Sequence, residues 1–157
     1  MENYMKLELL AVGENEAFAR SAVAVFALSL NPSLSELSDI KTAVSEAVTN
    51  CIVHAYGKEA GENRIFIECK TEKQGAVGVL HIKITDHGCG IEDIDVAMSP
   101  FYTTLAEEER SGMGFTIMQT FMDGFALKSE KGKGTEVRMR KSIGVSENET
   151  ERERVNA

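Results

Sequence analysis

The strongest constraint in this sequence is a helical stretch, Thr42 to Tyr56, that is apolar on one side and unusually polar on the other. Three polar side chains, Glu46, Asn50 and His54, lie four residues apart, so a helix stacks them along one flank. Asparagine is a poor helix former, and a solvated flank more often carries Lys, Glu, Gln and Arg. The row therefore indicates either a polar site on a rigid helix or an ordinary surface face. The apolar residues recur at intervals of three and four and form the expected core stripe: Leu37, Ile40, Val44, Ala47, Val48 and Cys51.

A second constraint is a carboxylate that the strand pattern turns towards the core. The stretch from Val77 to Asp86 alternates apolar and polar residues, and its period of two places Asp86 on the apolar face. A carboxylate in that position is costly unless it is paired or hydrogen-bonded. Gly88 and Gly90 follow directly and allow a tight backbone turn or a close approach to another group. The pattern is compatible with a simple turn or with a binding site.

A glycine pair also precedes an apolar helical run. The sequence S-G-M-G-F at residues 111–115 leads into the run from Thr116 to Met122. Glycines before a helix leave unpaired N–H groups and the positive dipole end at one spot, which favours an anion. The segment lacks the Lys-Ser/Thr of a P-loop. The preceding stretch from Thr103 to Arg110 is polar and acidic, and we expect a loop or lid there.

The remaining pattern predicts an α+β domain. We expect residues 1–141 to form one domain and residues 142–157 a flexible polar tail. Thr135, at the start of the last strand, should point inward like Asp86. The other predicted elements are a strand from Met5 to Ala11, a helix from Glu14 to Leu30, a hairpin of Arg64 to Lys70 with Val77 to Asp86, a short helix from Glu92 to Met98, and a hairpin of Phe125 to Glu130 with Thr135 to Arg140.

The first helix offers a candidate contact surface for a protein. We expect its core face to comprise Phe18, Ala22, Val25, Phe26 and Ser29. The opposite face, with Ala17, Ala24, Ala27 and Leu28 around Arg20, is small and apolar. Such a surface around one arginine suits partner binding through Arg20, or else a second buried face.

Composition excludes several classes of function. A net charge of -8 argues against a nucleic-acid partner, because neutralising phosphates requires clustered Lys and Arg. No apolar run reaches the roughly 18 residues of a membrane span, and the N-terminus lacks the layout of a signal peptide. The odd number of widely spaced cysteines predicts reduced thiols and a cytoplasmic protein.

Four motifs occur in a particular order between Glu46 and Thr135. They are E-x-x-x-N-x-x-x-H on a helix, D-x-G-x-G after a strand, G-x-G opening a helix, and G-T at a strand start. This order resembles the ATP-binding domain shared by gyrase-type ATPases, Hsp90 chaperones, histidine kinases and MutL repair proteins. The resemblance implies a Bergerat-type fold: a two-layer α/β sandwich with helices on one face of a mixed, mostly antiparallel sheet.

Longer segments narrow the resemblance. E-A-V-T-N-x-x-x-H-x-Y, F-Y-T-T, E-R-S-G-M-G-F-T-I-M and N-E-x-F-A-R are similar to the bacterial anti-sigma serine kinases, above all those of the sporulation, anti-sigma-F type. The similarity runs from about Met5 to Arg140. It implies a homodimer that binds a sigma factor and uses Mg-ATP to phosphorylate a serine of an anti-anti-sigma partner. ADP would be the product.

The resemblance also implies roles for individual residues. Asp86 would accept a hydrogen bond from the adenine amino group with help from Thr135, and Asn50 would bind Mg²⁺. Glu46 would orient or deprotonate the serine hydroxyl, and Arg110 would neutralise charge on the transferred phosphoryl group. The remaining nucleotide-binding residues that it implies are Gly88, Gly90, Thr103, Thr104, Ser111, Gly112, Met113, Gly114 and Phe115.

Two alternatives share most of these motifs. An anti-sigma serine kinase of the general stress response would carry the same site. A non-enzymatic, nucleotide-gated binding module would keep Asp86 and the glycines, yet it would have no use for Glu46.

Overall fold

The computed structural model describes residues 2–56, 63–98 and 114–144. Within those ranges the chain forms five strands, four α-helices, a 3-10 turn at Leu28–Leu30 and a π-helical segment at Cys51–Ala55. None of these helices is long and apolar enough to cross a membrane. The elements are β1 (Glu2–Leu10), α1 (Glu14–Ala27), α2 (Leu34–Asn50), β2 (Arg64–Gln74), β3 (Val77–Asp86), α3 (Ile94–Ala97), α4 (Gly114–Phe121), β4 (Gly124–Glu130) and β5 (Gly134–Ile143).

The strands form one sheet in the order β1-β2-β3-β5-β4. Every neighbouring pair in it is antiparallel, and with the helices this confirms the α+β class. A mixed sheet was expected, but the described strands include no parallel pair. Alternate residues of β2 and β3 are buried, as the period of two requires. Those residues form a single core with the apolar faces of α1, α2 and α4, which places these helices over one face of the sheet.

The central helix α2 begins at a capping box. The Ser33 hydroxyl accepts the Glu36 N–H at 3.1 Å, and the Glu36 carboxylate accepts the Ser33 N–H at 2.8 Å. Both bonds satisfy donors that an uncapped helix would leave open. The α-helical part ends at Asn50, and the chain continues as the π-helical segment instead of the uniform helix predicted to Tyr56. The widened turn begins directly after Asn50, so His54 lies within it and not on the α-helical part.

The predicted core face of α1 was largely wrong, although Phe26 does pack against the core. Its buried residues are Ala19, Val23, Ala24 and Ala27, two of which were expected to face outward. Phe18 and Val25, which were expected in the core, are 55% and 66% exposed respectively. Alanine on the inner face lets the α1 backbone approach α2 closely, and that packing outweighs burial of the larger side chains.

The last strand runs further than its sequence indicated. β5 continues past Arg140 to Ile143, which is fully buried although it was placed in the polar tail. Lys141 explains this extension, because its Nζ is 3.1 Å from Asp39 Oδ2 and donates to the Phe121 carbonyl at 2.6 Å. One buried ammonium group thereby joins β5 to the start of α2 and the end of α4.

We expect Asp39→Ala to lower the free energy of unfolding by about 2 kcal/mol, since Lys141 would keep a buried charge with one neutral acceptor. Urea-induced unfolding measures the change. Glu92→Ala is the control, because it breaks an exposed pair with Lys131 and should shift the value by no more than about 0.5 kcal/mol. Equal effects of the two substitutions would contradict the anchoring role.

Candidate functional site

The polar row of α2 lies against the first residue of α4. A methyl group on Gly114 would come within 3.3 Å of Glu46 Oε2, 3.3 Å of Asn50 Nδ2 and 3.4 Å of Asn50 Oδ1. Glu46 and Asn50 are both half-buried. The N-terminal end of α4, where a helix carries its positive dipole end and N–H groups without intrahelical partners, therefore lies beside a carboxylate and a carboxamide. Two motifs far apart in sequence meet at one place.

Asp86 is buried at the end of β3, as predicted, with only 4% of its surface exposed. Its Oδ1 accepts the Gly88 N–H at 3.0 Å, and its Oδ2 accepts the Cys51 thiol at 3.5 Å. Burial raises the pKa of Asp86, while the Gly88 N–H and the Cys51 thiol oppose that rise. A backbone hydrogen bond from Thr135 also lowers the pKa, and these bonds still leave acceptor capacity, because a carboxylate offers about four acceptor positions.

The loop after Asp86 is held between the π-helical segment and the turn that joins β4 to β5. The Cys89 N–H donates to the Ala55 carbonyl at 2.9 Å, and the Gly132 N–H donates to the Cys89 carbonyl at 2.6 Å. A side chain on Gly88 would lie 2.3 Å from the Ala55 oxygen. Gly90 has φ +71°, and a side chain there would lie 2.0 Å from the Glu130 oxygen. The close approach that these glycines permit is therefore to the protein's own backbone.

The predicted Gly-Thr pair lies directly opposite Asp86. Thr135 is the register partner of Asp86 across β3 and β5. A side chain on Gly134 would lie 2.1 Å from the backbone carbonyl oxygen of Asp86. The Thr135 hydroxyl is 2.8 Å from Ser129 Oγ, which in turn donates to the Gly134 carbonyl. Sequence reasoning missed Ser129. The sequence pattern that could have found it is the alternation along β4, by which Ser129 lies on the same face of the sheet as its register partner Thr135.

Tyr56 is a second residue that sequence reasoning missed. Its hydroxyl accepts the His87 N–H at 2.7 Å and donates to the Arg64 carbonyl at 2.6 Å. This side chain ties the end of the central helix to the end of β3 and the start of β2. Burial is the main reason that the pKa of Tyr56 is raised. The only available signal was its place at the end of the H-x-Y segment.

Of the remaining predicted nucleotide-binding and catalytic residues, the structure describes Phe115 but not the other six. Phe115 lies in the first turn of α4, and its ring centroid is 6.1 Å from that of Phe125, so its side chain belongs to the core packing. Six predicted residues lie outside the described ranges: Thr103, Thr104, Arg110, Ser111, Gly112 and Met113.

Arg20 lies on α1 and is paired with Glu16 of the same helix. Its Nη1 donates to both oxygens of Glu16, at 2.8 and 2.9 Å, and the Ser45 hydroxyl also donates to Glu16. About 41% of the Arg20 side chain is exposed. The partly exposed guanidinium is thus held in place by a carboxylate that bridges α1 and α2.

Three comparisons agree with this arrangement. Residues 11–141 match a family described as the histidine kinase-like ATPase domain. An anti-sigma F factor from Clostridium botulinum (strain Eklund 17B / Type B) is 53% identical over 92% of this chain and 97% of its own. One from Caldanaerobacter subterraneus is 52% identical over 90% and 95%. A crystal structure of the RsbU and RsbW domains of a Mycobacterium tuberculosis protein shares the fold, with TM-score 0.60, 15% identity, and coverage of 88% of this chain and 32% of that one.

We expect Asp86→Asn to become more stable relative to the wild type as the pH rises from about 4 to 7. Burial raises the pKa of Asp86 in the folded state, so the native protein holds a proton that the unfolded chain has already released. The wild type therefore loses stability as the pH rises through that window, whereas an amide does not titrate. Urea unfolding at a series of pH values gives the difference, and a constant difference would refute the raised pKa.

Proposed function

The chain belongs to the histidine kinase-like ATPase domain family and to the anti-sigma F factors, and on that premise we propose that it is an ATP-dependent inhibitor of a sigma factor. Its ATP would phosphorylate a serine of an anti-anti-sigma partner. The observation that carries the proposal is the start of α4 at Gly114 beside Asn50 and Glu46. Such a helix start favours phosphates, and the two side chains supply oxygen atoms at the same spot.

Asp86 is the proposed recognition group for the base. Its buried carboxylate accepts from Gly88, Cys51 and the backbone of Thr135, and the acceptor capacity that remains can take an adenine amino group. Burial makes that acceptor discriminating, because a base without a donor there leaves the carboxylate uncompensated. Thr135 lies opposite Asp86 and completes this end of the site. Gly112, Met113, Gly114 and Phe115 would direct backbone N–H groups at the phosphates.

The donor set fits Mg²⁺, with Asn50 as its proposed protein ligand. Mg²⁺ prefers hard oxygen donors, keeps several waters and often takes the rest of its shell from substrate phosphates. Among the described residues there is no group of three or more His, Cys, Asp or Glu that could hold a metal without such help. Asn50 Oδ1 lies beside the start of α4, where the phosphates would be. When bound, the ion would neutralise phosphate charge.

Glu46 is the proposed base for phosphoryl transfer. As the new bond forms between the serine oxygen and the γ-phosphorus, the bond from that phosphorus to ADP breaks, and the hydroxyl proton passes to Glu46. The position of Glu46, one turn before Asn50, puts its carboxylate next to the proposed phosphate site. Arg110 would balance charge on the transferred group, and Thr103, Thr104 and Ser111 would contact the nucleotide from the segment between α3 and α4.

Arg20 is the proposed centre of the partner surface. Its partly exposed guanidinium is held by Glu16 and lies on the same helix as the exposed side chains of Phe18 and Val25, and exposed Leu28 follows in the 3-10 turn. Aromatic and arginine side chains carry much of the energy at protein interfaces. The relatives named anti-sigma F factor favour a sigma factor of the sporulation type over the general stress response. The proposal also includes a homodimer in the cytoplasm. Because β5 extends to Ile143, the proposed domain runs to that residue and the polar tail begins after it.

The kinase proposal is tested by Glu46→Ala. We expect ATP affinity within about threefold of the wild type, but serine phosphorylation lower by at least about 100-fold, because general-base catalysis typically contributes 10²–10⁴ in rate. The substrate is the small protein that the chain captures from a lysate of its source cell, and phosphoserine is quantified by mass spectrometry.

Lys41→Ala, an exposed change on the same helix, is the control and should leave both quantities unchanged. Undiminished transfer by Glu46→Ala would remove Glu46 from its role. Intact ATP binding without transfer by the wild type would favour the non-enzymatic module instead.

The partner surface is tested separately by Arg20→Glu. We expect affinity for the sigma factor to fall at least about tenfold, while nucleotide affinity stays within about 1 kcal/mol, since α1 contributes no residue to the proposed nucleotide site. Arg20→Gln should act in the same direction without adding repulsion to Glu16. Arg138→Glu is the matched control, because Arg138 is likewise paired with a glutamate but lies on the uncovered face of the sheet. Equal losses from Arg20→Glu and Arg138→Glu would rule out a specific surface on α1.

A further inference from the structure

Cys51 is a buried polar group that the proposed reaction does not use. It begins the π-helical segment directly after Asn50, and only 4% of its surface is exposed. Its Sγ is 3.5 Å from Asp86 Oδ2, within the range of a sulfur hydrogen bond. Burial, with the nearby Asp86 carboxylate, raises the pKa of Cys51 well above its usual range. A carboxylate oxygen accepts hydrogen bonds, so the thiol is the donor in this contact.

The contact with Cys51 fixes the orientation of the Asp86 carboxylate. Gly88 donates to Oδ1 from the loop after β3, while Cys51 donates to Oδ2 from the central helix. A carboxylate held at one oxygen could still turn about its terminal torsion, which is a broad, soft rotation. Donors to both oxygens, from two different elements, restrict that rotation, and the backbone of Thr135 on β5 adds to them.

We propose that Cys51 is a specificity-determining residue of the nucleotide pocket, whose thiol holds Asp86 in the orientation that recognises the 6-amino group of the purine. This inference rests on the proposed binding of ATP. It extends that proposal, because selectivity for the amino group would depend on Cys51, which contacts the Asp86 carboxylate and not the base. Cys51 is a positioning residue, because it acts on the base through Asp86.

Another cysteine in the core provides a matched comparison. Cys69 in β2 is also buried, at 2% exposure, and lies in register with Met5 and Ile82. Burial raises its pKa to about 12, so it too is a neutral thiol. The Cys51 thiol, by contrast, donates to the Asp86 carboxylate. Substitutions at the two positions remove the same atom from the same core, but only one of them removes a contact with the site.

The experiment measures how strongly the full chain binds two nucleotides. One is ATP, and the other is the purine ribonucleoside triphosphate that lacks the 6-amino group. Both are measured by titration calorimetry with the wild type, Cys51→Ala, Cys51→Ser and Cys69→Ala. We expect Cys51→Ala to lower the affinity for ATP about tenfold and the affinity for the amino-free nucleotide by no more than about twofold. The ratio of the two affinities, which measures the preference for ATP, would then fall about fivefold or more. Cys51→Ser restores a donor and should recover ATP affinity to within about threefold.

The other outcomes would overturn either this inference or the proposed function. Equal weakening of both nucleotides by Cys51→Ala, or the same loss of preference from Cys69→Ala, would overturn the inference and leave Cys51 as a packing residue. Unchanged or tighter ATP binding by Cys51→Ala would also overturn it. A wild type that binds neither nucleotide would instead refute the proposed function itself.

Discussion

The whole site depends on one constraint, a carboxylate that must be buried without being left unpaired. Asp86 ends a core-facing row of β3, where an unsatisfied charge would cost several kcal/mol. The solution draws on distant parts of the chain: a thiol from the central helix, an N–H from the following loop, and the backbone of β5 opposite. Meeting this requirement brings the ends of α2, β3 and β5 to one point, and that point is the candidate base-recognition end of the pocket.

The other end of the site depends on a short helix that is fixed at both ends. α4 begins at Gly114 against Glu46 and Asn50, where a larger residue would crowd both side chains. It ends at Phe121, whose carbonyl accepts a bond from the buried ammonium group of Lys141. A helix of two turns has little stability of its own, so these contacts, together with the burial of Met118, determine where its positive dipole end points. The core thereby positions the candidate phosphate site.

Local periodicity was enough to predict much of this arrangement. The alternation in β3 placed Asp86 in the core, and the spacing of four in α2 placed Glu46 and Asn50 on one flank. Periodicity failed in α1, where both faces are apolar and the smaller side chains proved to be the buried ones, because close backbone approach depends on the partner helix. The contacts of Tyr56 and Ser129 depend on which elements become neighbours, and that information is not local in sequence. The sequence predicted a close backbone approach at the glycine pair after Asp86, and the atoms that an added side chain would contact most closely there are backbone atoms of the same chain.

The strand order has a consequence for how the chain acquires its structure. β1, β2 and β3 are consecutive neighbours and can pair as soon as they are synthesised, yet β3 borders β5, the last strand described. Until β5 arrives, the inner edge of β3 presents unpaired backbone groups, which are a template for association with other chains. Asp86 lies on that edge and has Thr135 as its neighbour only in the finished sheet. Ribosomal synthesis therefore leaves the most polar part of the core incomplete until nearly the whole described domain has emerged.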